Sequence, residues 1–221
     1  MKRHHIQNGF SLISLMVGII VSMVAIIGLL FSYKSLLANA SSVITKASTS
    51  SQSSTNAILV ARNLQQAGWG VGAAATPPGG VANTDVVLLS SAILAGTTLT
   101  GTPVTLSTAS ASGNALIWDT KINGALSCSA LVWSNGGLTL IGPISCINAA
   151  AWSSLIWPLS SQTPLNIPNT FNDANFTAQR TTCWPYNAGL SPQSGLLVTL
   201  NYNGSPPDSP PVDICLSNIP N

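Results

Sequence analysis

The stretch Asn8-Gly9-Phe10-Ser11-Leu12-Ile13-Ser14-Leu15-Met16-Val17-Gly18-Ile19-Ile20-Val21-Ser22-Met23-Val24-Ala25-Ile26-Ile27-Gly28 decides how the rest of the chain is read. From Phe10 to Phe31 no residue carries a charge, a run of 22 residues followed by Tyr33 and Lys34. As a helix rising about 1.5 Å per residue it reaches roughly 33 Å, enough to cross the hydrocarbon core of a bilayer. Lys2 and Arg3 stand before it, and basic residues stay on the cytoplasmic side, so everything after the helix is expected to be exported. A conventional signal peptide has an apolar core of only about 7–15 residues. Ala38-Asn39-Ala40 would offer it a cleavage site, but the apolar run is too long and Lys34 intervenes. A plain N-terminal anchor accounts for the hydropathy and leaves the Gly9-Phe10 junction without a role.

That junction between a polar leader and an apolar helix, with the residues after it as far as Gly28, resembles the class III signal of type IV prepilins. The resemblance implies a basic leader over residues 1–9, cut between Gly9 and Phe10 by a prepilin peptidase that also methylates the new terminal Phe10. It implies a transmembrane helix over 10–33, a continuation over 34–68 and a head over 69–221. In most pilins the fifth mature residue is Glu, thought to neutralise the terminal amine of a neighbouring subunit. Here that position is Ser14. A carboxylate inside a bilayer is costly, so Ser14 eases retention in the membrane and removes an ion pair that recruits major subunits. Family precedent places such subunits at or near the fibre tip. Ser14, Gly18 and Ser22 also recur every four residues, continued approximately by Ala25, Gly28 and Ser32. Small residues at this spacing let two apolar helices approach closely, which makes them a candidate packing face.

Beyond Lys34 the helix is expected to continue unevenly. Residues 40–56 are rich in Ser and Thr, whose hydroxyls compete for backbone hydrogen bonds, and a frayed or locally melted turn is expected there. Ala57, Val60, Ala61, Leu64 and Ala67 then recover helical spacing as an apolar stripe, and Gly68 is a natural stop. Ala61-Arg62-Asn63-Leu64-Gln65-Gln66-Ala67-Gly68-Trp69-Gly70 resembles the end of the helix in PilW-type minor pilins, with Asn63 where an Asp is usual. Asn83-Thr84-Asp85-Val86-Val87-Leu88 is similar to the first head strand of that group. J-type pseudopilins of type II secretion share part of this helix ending.

The remainder reads as antiparallel sheet, giving an α+β fold: one long helix, transmembrane in its first half, packed on a β-rich head. Strands are expected at 85–89, 99–106, 115–118, 129–133, 138–141 and 196–202. Asn135-Gly136 is a strong hairpin signal between two of them. A long loop is expected from Pro158 to Asn175, and an irregular extended segment around Pro206-Pro207 and Pro210-Pro211. Cys128, Cys146, Cys183 and Cys215 all lie in the exported part, where disulfides persist. Four cysteines allow three connectivities. Cys128–Cys146 and Cys183–Cys215 are favoured because each closes a short or moderate loop, and the first braces the expected hairpin.

Composition narrows the function classes. Charged residues make up 5% of the chain, there is no Glu, and both histidines, His4 and His5, fall in the leader. Without His or Glu after the leader there is no Ser-His-Asp triad, no Glu acid/base and no His-metal centre, so no enzyme, metal or cofactor is expected. Cys-x₂-Cys spacing is missing, which disfavours zinc. Asp208 and Asp213 form no recognisable calcium loop. No basic stripe serves nucleic acid. The resemblance implies a minor pilin of the bacterial inner membrane, cytoplasmic at its N-terminus and periplasmic in its head. Its partners would be other minor pilins and the major pilin, with which it would prime or cap a type IV pilus at the cell surface. A tip pseudopilin of a type II secretion system is the near alternative. A carbohydrate-binding surface adhesin is the alternative of another class, motivated by Trp69, Trp118, Trp133, Trp152, Trp157 and Trp184 among many Asn, Ser and Thr residues.

Overall fold

The computed structural model describes residues 12–72, 80–134, 137–165, 175–184, 193–201 and 211–220. Two compact units emerge, Met1–Ser50 and Ser51–Asn221. The described part of the first is helical. Helix α1 runs Leu12–Gln65, and its segment Leu12–Ser48 is apolar and long enough to cross a membrane. No side chain from Leu12 to Ser48 is buried.

The melted turn expected over residues 40–56 is not seen: the backbone is helical throughout. The hydroxyls of Ser42, Thr45 and Thr55 donate to the carbonyls of Asn39, Ser41 and Ser51 at 2.8–2.9 Å. Bonded to the preceding turn, these side chains do not compete with the helix. After Gln65 the chain tightens into turns, and Gly68 takes φ +72°, the left-handed conformation that ends helices.

The second unit contains ten strands among the described residues: β1 Val86–Ala95, β2 Thr98–Val104, β3 Ala111–Gly113, β4 Ala115–Ile122, β5 Ala125–Ser134, β6 Gly137–Ser145, β7 Gln162–Leu165, β8 Asn175–Cys183, β9 Gln193–Asn201 and β10 Val212–Leu216. They form two antiparallel sheets rather than the single sheet expected. The larger has the order β2-β1-β4-β5-β6-β7 and the smaller β10-β9-β8-β3. The loop expected from Pro158 to Asn175 is corrected over its first part, residues 166–174 lying outside the described residues. A 3-10 turn at Leu159–Ser161 leads into β7, which adds to the larger sheet at its edge. Pro164 is tolerated in β7 because an edge strand leaves one row of backbone groups unpaired. Likewise Pro211 leads directly into β10, and residues 202–210 lie outside the described residues. Asn135-Gly136 and Pro206-Pro207 lie outside the described residues.

Two apolar clusters explain why the middle of the larger sheet is buried on both faces. Val86, Leu88, Leu116, Trp118 and Leu131 point to one cluster, where they meet Phe176, Val198, Leu200 and Ile214 of the smaller sheet. Val60, Leu64 and Ala67 from the end of α1 enter the same core. Burying a side chain such as Leu64 stabilises by roughly 1.5–3 kcal/mol, so the last turns of the helix are seated firmly. The alternate residues Val87, Leu89, Ala115, Ile117 and Val132 enter a second cluster. There Ala149 of a 3-10 turn at Ala149–Ser154 and the fully buried Trp157 cover the opposite face.

Where β1 bulges between Ser90 and Ile93, the Asn114 side chain fills the gap. It accepts from Ala92 N at 2.7 Å and donates to Ala92 O and Trp133 O at 2.8 and 3.0 Å. The neighbouring Gly113 brings β3 against β1, and a Cβ there would collide with Leu89 O and the Leu88 side chain. Gly113→Val is expected to destabilise the head by about 2 kcal/mol through overpacking, read as a lowered melting temperature. An unchanged melting temperature would show that the two strands can separate locally at little cost.

Candidate functional site

Three places on the chain bear on function, and the first is the apolar helix. Gly9 and Phe10 lie outside the described residues. Ser14, Gly18 and Ser22 lie along one exposed strip of α1, four residues apart. Ser22 Oγ donates to Gly18 O at 2.8 Å, so its hydroxyl is satisfied within the helix. A Cβ built on Gly18 meets nothing within 4 Å. The strip is therefore shallow, polar only at hydroxyls, and flanked by exposed Leu15, Val17, Ile19 and Val21. Such a surface suits lipid and close helix packing alike.

The second place is the seat of the helix end. Trp69 N donates to Gln66 O at 3.0 Å and Lys121 N to Trp69 O at 2.7 Å, which pins the turn against β4. Gly68 N donates to Asp119 O at 2.8 Å, and Asn218 Nδ2 reaches Gln65 O at 2.9 Å. Between the helix end and the turn after β10 opens a cleft of about 480 Å³, lined by Arg62, Gln65, Gln66, Trp69, Ser217 and Asn218 together with Cys215.

Beneath this seat lies a pair of acids that the sequence shows only as two scattered charges. Asp119 on β4 is fully buried and Asp85, just before β1, is 7% exposed. Ala149 N donates to Asp119 Oδ2 at 3.0 Å, and Val81 N donates to Asp85 Oδ2. Asp119 Oδ1 is buried and has no hydrogen-bond partner among the described residues. Burial, then the neighbouring Asp85 carboxylate, push Asp119 up to about 7, although the Ala149 N–H opposes this. Asp119 therefore keeps its proton to a higher pH than an ordinary carboxyl, out of water and beside a second acid. A signal was present in Leu116-Ile117-Trp118-Asp119: an acid inside an apolar strand has to be paired or protonated.

The third place is the pair of disulfides, and both favoured pairings are formed. Cys128–Cys146 spans a sequence separation of 18 and ties β5 to the residue after β6. Cys183–Cys215 spans 32 and joins β8 to β10 across the intervening β9. Gly195 of β9 lies close beneath it, where a Cβ would come 2.9 Å from Leu216 O and 3.5 Å from Cys183 Sγ.

The tryptophans divide between two roles. Trp118, Trp133 and Trp157 are buried, Trp152 is half-buried, and Trp69 and Trp184 are 63% and 40% exposed. Among the described residues no group of three or more His, Cys, Asp or Glu side chains could hold a metal ion. Asp213 is engaged by Thr199 Oγ1 at 2.7 Å, while Asp208 lies outside the described residues.

These features define a class: an α+β chain with one apolar helix of membrane-spanning length and a doubly disulfide-bonded head of two antiparallel sheets. No family model, no curated protein and no solved structure matches it.

Proposed function

We propose that this chain is a minor pilin, processed between Gly9 and Phe10, that joins other minor subunits in the inner membrane and primes or caps a type IV pilus. The observation that carries the reading is the Gly9-Phe10 junction standing directly before an apolar helix with no buried side chain from Leu12 to Ser48. A helix of this kind needs either lipid or other helices around it, and a pilin exchanges one for the other on assembly. Ser14 in place of the usual Glu supports a position at or near the tip, where no subunit above presents an amine. The disulfide-bonded, weakly charged head suits an oxidising compartment and contact with sister subunits.

The test is the N-terminus of the protein purified from membranes. Mass spectrometry is expected to give a chain beginning with N-methylated Phe10. A chain beginning at Ser41 would assign the N-terminal run to an ordinary signal peptide and sink the proposal. Deletion of the gene is expected to leave few or no surface pili while the major pilin accumulates in the membrane. Abundance equal to the major subunit in sheared fibres would rule out the minor role.

A further inference from the structure

We propose that the cleft at the end of α1 is a binding site for an acidic saccharide, one whose ring carries a carboxylate. Trp69 presents an indole there that is 63% exposed, whereas Trp118, Trp133 and Trp157 are spent on the core. An exposed aromatic of this size offers a flat apolar face with a polar edge. Its backbone is held on both sides, by Gln66 O and by Lys121 N.

Around that face stand the side chains of Gln65, Gln66, Ser217 and Asn218, which supply both donors and acceptors. Asn218 uses its amide nitrogen on Gln65 O, which fixes that wall and leaves its carbonyl oxygen for another partner. Cys215, tethered to Cys183, holds the strand that leads to Ser217. Arg62 adds the one cation of the lining, and no ion pair among the described residues engages it. A guanidinium grips a carboxylate through two parallel hydrogen bonds.

A sugar ring matches this set group by group. Its C–H face lies on the indole, its hydroxyls meet amides and a hydroxyl, and a ring carboxylate meets Arg62. The volume of about 480 Å³ lies within the rough 300–1,000 Å³ span of small-molecule sites. An acidic peptide would satisfy Arg62 equally. Peptide side chains, however, seek apolar sockets, and apart from Trp69 and Cys215 every lining residue bears a polar or charged side chain. The saccharide is therefore favoured. The site lies wholly within the second unit and does not depend on how the N-terminus is processed.

The experiment uses the full chain in detergent, with intact disulfides, titrated with oligogalacturonate and followed by saturation-transfer NMR and calorimetry. Saturable binding is expected. It should weaken about tenfold or more in Arg62→Gln, since a hydrogen bond to a charged group is lost. It should weaken similarly when the methyl-esterified oligomer replaces the acid. Trp69→Ala is expected to abolish the transfer signal, while Trp184→Ala, exposed but outside the cleft, leaves it unchanged. Because Arg62 and Trp69 are exposed, neither change should disturb folding, and unchanged melting temperatures check this. Three results would overturn the proposal: no saturable binding of the oligomer at millimolar concentration, equal binding by the Arg62 and Trp69 variants, or tighter binding of an acidic pentapeptide at the same residues.

Discussion

Raising the pH from 5 to 8 is expected to destabilise the head, and Asp119→Asn is expected to abolish most of that loss. Asp119 titrates near 3.8 when unfolded and at about 7 in the native chain, because burial and the Asp85 carboxylate oppose its ionisation. Between those values the folded state holds a proton that the unfolded state has released. Stability must then fall as pH rises across the interval, level off above the native value, and be greatest on the acid side. Each tenfold difference in proton affinity between the two states corresponds to about 1.4 kcal/mol, so the full penalty is on the order of 4 kcal/mol.

An amide at this position reproduces the protonated acid. Its oxygen accepts from Ala149 N, and the amide brings no charge to desolvate beside Asp85. Asp119→Asn should therefore melt higher than the native chain by about 8–16 °C at pH 8, and by a smaller margin at pH 5, where about 1.6 kcal/mol of the penalty is already present. Asp119→Ala is the contrasting change. It strands the Ala149 N–H, and should destabilise by about 1–3 kcal/mol at acid pH. Thermal melts across pH, read by near-ultraviolet circular dichroism, decide the matter. A native melting temperature that is flat or rising from pH 5 to 8 would refute the raised titration of Asp119.

Loss of the Cys183–Cys215 bond is expected to cost roughly 3–4 kcal/mol, because it closes the longer of the two loops in the unfolded chain. The native consequences reach beyond the bond. Cys215 lies on β10, and the turn that follows holds Asn218, which bonds Gln65 O at the helix end and accepts from Gly80 N. Ile219, buried in the core shared by the helix and both sheets, follows in the same turn. Freeing β10 should thus loosen the seat of α1 and the cleft beside it. Cys128–Cys146 staples two strands already paired in the larger sheet, so its removal should leave the helix seat intact.

Hydrogen exchange on Cys183→Ser/Cys215→Ser and Cys128→Ser/Cys146→Ser proteins distinguishes the two. Lost protection at residues 64–69 is expected only in the first. Equal loss in both, or a melting temperature unaffected by either, would show that β10 is held by its packing alone.

Much of this chain was legible without coordinates. The helix of membrane-spanning length follows from an uninterrupted uncharged run, because length and hydropathy are local properties. Strands β1, β2, β4, β5, β6 and β9 are marked by β-branched and apolar runs, with differences only at their ends. The cysteine pairing followed from loop length and an expected hairpin, and both bonds form. Helix persistence across the Ser- and Thr-rich stretch was missed because the outcome turns on whether each hydroxyl bonds backward, a choice that composition does not reveal.

Only the tertiary structure divided the strands into two sheets. Strand β8 was not expected from the sequence, and the short strands β3, β7 and β10 are held by their partners β8, β6 and β9 rather than by a local pattern of their own. The same reason hides the functional candidates in the head. Arg62 and Trp69 are separated from Ser217 and Asn218 by nearly the whole head sequence, and they line one cleft because β10 returns to the helix end. Asp85 and Asp119 read as two unremarkable acids until β1 pairs with β4 and sets them together out of water. Sequence determined the apolar helix, the α+β class and the disulfides, which depend on local patterning and short loops. Folding decided the cleft and the raised titration of Asp119, which exist only where distant segments meet and water is excluded.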